Sequence, residues 1–258
     1  MHPTLQLALR ALRSVSEHYT YVSERLDIAR TDQAVPELLE TCGRRVEQAI
    51  ERQLVRAHPD ASFRGRFAQL QGSGEMRWSV DSLTGYDNLK RGYPAFALTL
   101  SIYIRDRLEH VLLFNPATSQ EFLASRGRGA TLNGRRIRVL AGWKPEQAAL
   151  AYPLPEPRLR QQLLPVYAQL LPLLGVETLL TSGCAALDIC AVAAGQLDAA
   201  ILMGVDEKEL APALLILKEA GGLAGDLSGA PSLTSEGRLL VANPKAFRQL
   251  VGQLKPHL

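Results

Sequence analysis

The run Trp78-Ser79-Val80-Asp81-Ser82-Leu83-Thr84-Gly85-Tyr86-Asp87-Asn88 sets an acid, Asp81, just ahead of a Thr-Gly turn signal. A short apolar segment ends in an acid, and Thr-Gly follows three residues later. The pattern predicts a strand that delivers Asp81 to its C-terminal end, then a tight turn at Gly85 and a helix start. The backbone N–H groups of Gly85 and Tyr86 would then point outward as anion donors. Such donors suit a phosphate or simply start a helix, and Asp81 beside them suits capping of the turn at 85–88. Other chemistries find little support. The five histidines (His2, His18, His58, His110, His257) are scattered and suggest neither a triad nor a zinc site. Cys42, Cys184 and Cys190 lack metal-ligand spacing, and the last two sit in a small-residue helix pattern as buried hydrophobes.

The rest of the chain must position that run. At 258 residues it can bury a substantial core, and 47% hydrophobic with 21% charged residues is ordinary for a globular protein. A net charge of +3 does not by itself call for a nucleic-acid partner. The odd cysteine count argues against a disulfide framework, no apolar run reaches membrane length, and Met1-His2-Pro3-Thr4 lacks a secretory pattern. A cytoplasmic protein with no membrane association is the expectation.

Leu5, Leu7, Ala8, Ala11, Leu12 and Val15 predict a helix over about 4–24, and Leu38, Leu39, Cys42, Val46, Ile50 and Leu54 a second after Pro36. Residues 61–75 read as a loop or short irregular hairpin. From Trp78 to the Asn133-Gly134 turn the pattern is a strand meander. The second half alternates. Strands are expected at 148–152, 176–180, 197–203 and 239–242. Helices are expected at 159–174, 185–194, 209–220 and from Pro244, with a proline-rich link at 153–157. Val80, Leu83, Leu98, Leu100, Ile102, Leu187, Ile189 and Leu214 are predicted core positions.

Several segments in register resemble the inositol monophosphatase family, and within it the bacterial SuhB-type branch. They are the 81–88 run, Arg126–Arg136, Gly183–Asp188, Lys218–Gly222, Asp226–Gly229 and Val241–Asn243-Pro244. The resemblance covers most of the chain. It implies a layered αβαβα sandwich of the α/β (α+β) class over residues 1–258, with 1–145 contributing helices and a mainly antiparallel sheet and 146–258 an α/β half. It also implies a Mg²⁺-dependent phosphomonoesterase in which carboxylates hold two or three metal ions, usually as a homodimer.

This sequence departs from the family signature Asp-Pro-x-Asp-Gly-Thr-x-Asn where the metals bind. Asp81 matches the bridging ligand and Leu83 the carbonyl donor. Ser82 replaces Pro, Thr84 replaces the second acid, and Tyr86 replaces Thr. The paired glutamates fall at Gly65, Arg66 or Phe67, an upstream acid at Gly43, the late Trp-Asp pair at Lys208-Glu209 and a substrate-contacting glutamate near Leu202. Asp81 and Thr84 are thus the catalytic candidates, and Asp81, Leu83 and Glu209 the metal candidates. Gly85, Tyr86 and Ala185 are the phosphate-binding candidates. Arg64 and Arg66 are candidate replacements for metal, and Asp87 is an extra acid. Glu209 reads equally well as a first-turn helix acid.

The expectation is weak or absent Mg²⁺ binding, with Mg²⁺ the cofactor by resemblance only, and a pseudoenzyme with little or no hydrolysis. Its remaining job would be binding an anionic or phosphorylated small molecule, or a transcription or RNA-associated complex. The alternative is an active Mg²⁺-dependent phosphomonoesterase. The meander over 96–138 is the expected dimer surface.

Overall fold

The computed structural model describes residues 3–26, 34–155, 157–231 and 237–258, so His2 and part of the 153–157 link lie outside the described residues. The chain divides into two compact units, Met1–Arg126 and Gly127–Leu258.

In the first unit the N-terminal apolar stripe forms two helices rather than one, α1 (Pro3–Ser14) and α2 (Ser16–Leu26). The break at Val15 has a local cause. The Ser14 and Ser16 hydroxyls donate to the carbonyls of Ala11 and Arg13, competing with the helical ladder. Helix α3 (Ala34–Ala57) carries Pro36 in its first turn, where the missing N–H costs no intrahelical bond. The 61–75 segment contains a minimal hairpin, β1 (Ser62–Arg64) with β2 (Gln69–Leu70). Strand β3 (Met76–Thr84) leads to the single-turn helix α4 (Tyr86–Lys90). The meander follows as β4 (Ala97–Ile104), β5 (Arg107–Asn115) and β6 (Gln120–Ser125).

These strands lie in the order β2-β1-β3-β4-β5-β6, antiparallel except for β1 against β3. Strand β4 is buried from Ala97 to Ile102, so it reads as a continuous apolar run rather than an alternation. Helices α1 and α3 cover the sheet through a core that includes Leu12, Ile50, Trp78 and Leu100.

The second unit opens with the hairpin β7 (Gly129–Leu132) and β8 (Arg135–Ile137). Asn133 (φ 49°) and Gly134 (φ 78°) supply the two left-handed positions that such a two-residue turn needs. Then come β9 (Ala149–Ala151), α5 (Arg160–Leu170), β10 (Thr178–Leu180), α6 (Ala185–Ala193), β11 (Ala199–Leu202), α7 (Glu207–Glu219), β12 (Leu223–Gly225), β13 (Leu239–Ala242) and α8 (Pro244–Leu254). Helix α5 is shorter than expected because the chain tightens into a 3₁₀ turn at Leu171–Leu173, where Pro172 donates no hydrogen bond.

The five strands β9 to β13 take the order β10-β9-β11-β13-β12. Strand β12 was not expected from the sequence; it is three residues long and only Gly225 is buried. Most expected core positions are buried, but Leu187 and Leu214 are only half-buried. The inward faces of α6 and α7 run instead through Ala186, Ile189, Cys190 and Ala193, and through Ala213, Ile216 and Leu217.

Candidate functional site

Asp81 lies where β3 loses its regular register. Asp81 pairs with Thr99 but Thr84 with Ala97, so one extra residue is accommodated between them. Such a bulge re-aims side chains. Ser82 and Leu83 both turn inward, while Asp81 stays exposed and Thr84 half-exposed. The Asp81 carboxylate accepts from the Leu83 N–H at 3.0 Å and from the Thr84 hydroxyl at 2.7 Å. The Thr84 oxygen also lies 3.3 Å from the Thr99 hydroxyl. The residue at the second-acid position is therefore a hydrogen-bonding partner of the first acid.

Gly85 adopts φ 79°, a left-handed conformation that glycine adopts without strain, and precedes α4. Its carbonyl accepts from Asn88 and Leu89, closing the turn, with the Gly85 and Tyr86 amides at the helix start. Asp87 is exposed and 3.5 Å from Arg91, an ordinary i,i+4 surface pair. Asn88 donates to the Ala95 carbonyl and ties α4 to the segment before β4.

The acid that the sequence reading missed is Glu47. It is fully buried on α3, and its carboxylate is filled by protein donors. One oxygen accepts from the Phe67 N–H (2.6 Å) and Ala68 N–H (3.1 Å), the other from the Ser82 hydroxyl (2.8 Å). Glu47 thus clamps the 65–68 loop and the inward face of the β3 bulge to the helix. A Cβ built on Gly65 would overlap this carboxylate, and one on Gly43 would press on the Phe67 ring at 2.5 Å. Both glycines therefore allow the loop to approach α3 this closely. The signal was legible: Glu47 stands at i+4 from Gly43 and i−3 from Ile50, within the apolar stripe. The Tyr19 hydroxyl donates to the Ser82 carbonyl at 2.6 Å, and burial raises its pKa well above the usual tyrosine range.

Arg64 and Arg66 are exposed and in no ion pair among the described residues. The Arg66 and Arg44 guanidiniums lie 5.3 and 5.4 Å from the centre of the Phe67 ring. One aromatic ring thus gathers two cations beside the position where a family glutamate is expected.

In the second unit Glu209 sits exposed in the first turn of α7, whose N-cap is Asp206, accepting from the Lys208 N–H. That placement matches a helix-dipole acid. Ala185 starts α6 behind a turn in which the Ser182 hydroxyl accepts from the Cys184 N–H. Asp188, on α6, is 3% exposed and one of its oxygens has no partner. Burial pushes its pKa up to about 6, against the opposing effect of hydrogen bonds from Ser182.

Two further motifs prove to be loop anchors. Glu219 accepts from the Gly127 and Gly129 N–H groups at 2.7 and 2.8 Å, gripping the loop before β7. Asp226 is subject to burial that would raise its pKa, but the Ser228 hydroxyl and the amides of Ala230, Ser228 and Gly229 together hold it below the usual carboxylate range. Among the described residues, no three His, Cys, Asp or Glu side chains gather as a metal-holding group.

The sequence pattern of the inositol monophosphatase family matches residues 3–257. The chain belongs to the inositol monophosphatase family. It is 35% identical to a Pseudomonas aeruginosa protein named Nus factor SuhB, over all of this chain and 98% of that one. It is 26% identical to the Nus factor SuhB of Escherichia coli, over all of this chain and 98% of that one. Among solved structures, extragenic suppressor protein suhB from Bartonella henselae superposes with a TM-score of 0.83 at 24% identity, covering both chains fully. Inositol monophosphatase II from Staphylococcus aureus superposes with a TM-score of 0.77 at 20% identity, over 98% of this chain and 96% of that one. The mixed α/β fold, with two sheets covered by helices, is that of this family.

Proposed function

We propose that this family member is a SuhB-like binding or regulatory protein with little or no Mg²⁺-dependent hydrolysis, which holds an anionic or phosphorylated group by arginine rather than by metal. The observation that carries the reading is the use made of the acids near the bulge. A two-metal site needs several carboxylate oxygens free to face hard cations. Asp81 shares its oxygens with Leu83 N–H and the Thr84 hydroxyl, and Glu47 is filled by three donors. Gly43, Arg66 and Thr84 offer no carboxylate. This donor set does not fit a two-metal cage, so no catalytic step is derived through Mg²⁺.

What remains suits anion binding. Arg44 and Arg66 are oriented by Phe67, which lowers the entropy lost when their forked donors engage an oxyanion. By the family resemblance the Gly85 and Tyr86 amides are further anion donors. The name Nus factor, carried by several relatives, supports an association with a transcription or RNA-associated complex. The family resemblance supports homodimerisation, and the odd cysteine count supports a reducing, cytoplasmic location. No helix among the described residues is long and apolar enough to cross a membrane.

The rival reading, an active Mg²⁺-dependent phosphomonoesterase, draws on the retained Asp81 and Glu209. Phosphate binding in EDTA separates the two, with wild type measured beside Arg66→Ala and Arg64→Ala. Metal-free binding that weakens in either variant supports the proposal. Absence of binding without metal, with Mg²⁺-dependent release of phosphate from inositol 1-phosphate, favours the enzyme.

A further inference from the structure

The Val241-Ala-Asn-Pro244 motif has no part in the proposed anion site, yet its Asn243 ties together the two segments that line a separate cleft in the second unit. This cleft of about 250 Å³ is lined by Trp143, Lys245, Arg248 and Gln249. Asn243 holds its two sides together. Its carbonyl oxygen caps α8 by accepting from the N–H groups of Lys245 and Ala246, both at 3.0 Å. Its amide donates to the Gly142 carbonyl at 3.0 Å, fixing the backbone next to Trp143. Asn243 is 1% exposed, so this tie is shielded from water.

The lining has a definite chemistry. Trp143 packs partly against the second unit's core and is half-buried, with its indole N–H buried and unpartnered. Lys245 and Arg248 stand one turn apart on α8, both exposed and in no ion pair among the described residues. They fall in the first half of the helix, so the dipole adds to their positive potential. Gln249 offers both a donor and an acceptor. A flat indole, two adjacent cations and one amide match a planar heterocycle carrying a phosphate.

We infer that this cleft binds a nucleoside monophosphate, the base against Trp143 with Gln249 at its edge and the phosphate between Lys245 and Arg248. The cations alone would accept any phosphate, and the indole alone any flat ring; selectivity comes from their joint use.

The chain's two tryptophans make the test direct. Trp78 is fully buried, so ligand-dependent change in emission reports Trp143. Titration of the full chain with AMP should give saturable quenching. Adenosine, inorganic phosphate and inositol 1-phosphate should each bind about tenfold more weakly or less. Arg248→Ala and Lys245→Ala, both on exposed positions, should weaken AMP about tenfold, while Arg56→Ala, exposed on α3 in the first unit and outside either site, leaves it unchanged. Calorimetry repeats the measurement with Trp143→Leu, where loss of AMP binding is expected. No saturation by ~10 mM AMP overturns the inference. So does inorganic phosphate or inositol 1-phosphate quenching Trp143 at as low a concentration as AMP, or quenching by AMP that Arg248→Ala leaves intact.

Discussion

Replacing Glu47 probes the clamp that holds the candidate site together. In Glu47→Ala three donors lose their acceptor at once: the Phe67 N–H, the Ala68 N–H and the Ser82 hydroxyl. Ala68 N and Ser82 Oγ are buried, so water reaches them only by opening the loop. Each buried donor left unmet costs about 1–3 kcal/mol, and partial relaxation of the loop recovers some of that. A net loss of about 3–5 kcal/mol is expected. Glu47→Gln behaves differently. Its single carbonyl oxygen can still receive the two N–H groups, and its NH₂ can donate to Ser82 with the hydroxyl turned, so the loss should be about 1–2 kcal/mol. Urea unfolding followed by far-UV circular dichroism measures both, provided the slope of free energy against urea stays constant. An internal check is Gly65→Ala, whose Cβ overlaps the Glu47 carboxylate. That variant should be strongly destabilised in wild type and much less so in the Glu47→Ala background, a coupling that independent sites do not show. A Glu47→Ala loss under ~1 kcal/mol, or additivity with Gly65→Ala, would refute the clamp.

Other outcomes follow from the same geometry. The Asp188 pKa is raised by burial from an unfolded value of about 3.9 to about 6, so its charged form destabilises the fold above pH 6 and that cost fades as pH falls from about 6 to 4. Asp188→Asn should therefore stabilise by about 1–3 kcal/mol at pH 8 and by much less at pH 4.5, as urea midpoints would show; an equal effect at both pH values contradicts it. Glu219→Ala, which frees the Gly127 and Gly129 amides, should cost about 1–3 kcal/mol, against roughly 0.3–1 for the exposed Glu209→Ala; equal losses in urea would make Glu209 structural. Ile189→Ala, fully buried on α6, should cost about 2–5 kcal/mol, more than the same change at half-buried Leu187. Burial raises the Cys42 thiol to about 11 and Cys190 well above its usual range, so both should react with Ellman's reagent at pH 8 only as the protein unfolds; rapid labelling of the folded chain contradicts this.

The fold was legible wherever periodicity had a single cause. The meander, the Asn133-Gly134 turn and the α6 to α8 succession are visible because hydrophobic spacing and turn residues agree there. What stayed hidden depended on partners distant in sequence. The α1–α2 break comes from two serine hydroxyls that bond locally, and a stripe of apolar residues does not register it. The bulge at Asp81 is a mismatch with β4, invisible in β3 alone. At the site, the run 78–88 was found by its own residues, with Asp81 and Thr84 placed together. Glu47 stands in the apolar stripe of α3, but what it holds is not visible locally, because its three partners lie 20, 21 and 35 residues away. Glu219 and Asp226 belong to recognisable motifs, but only the fold shows that each spends its carboxylate on loop amides.

Whether the acids near Asp81 can recruit metal is measured directly by calorimetric titration of the full chain with Mg²⁺ at neutral pH. Weak, unsaturated heats are expected, with inositol 1-phosphate left intact under the same conditions. Tight binding at two sites, accompanied by Mg²⁺-dependent phosphate release that Asp81→Asn abolishes, would contradict it.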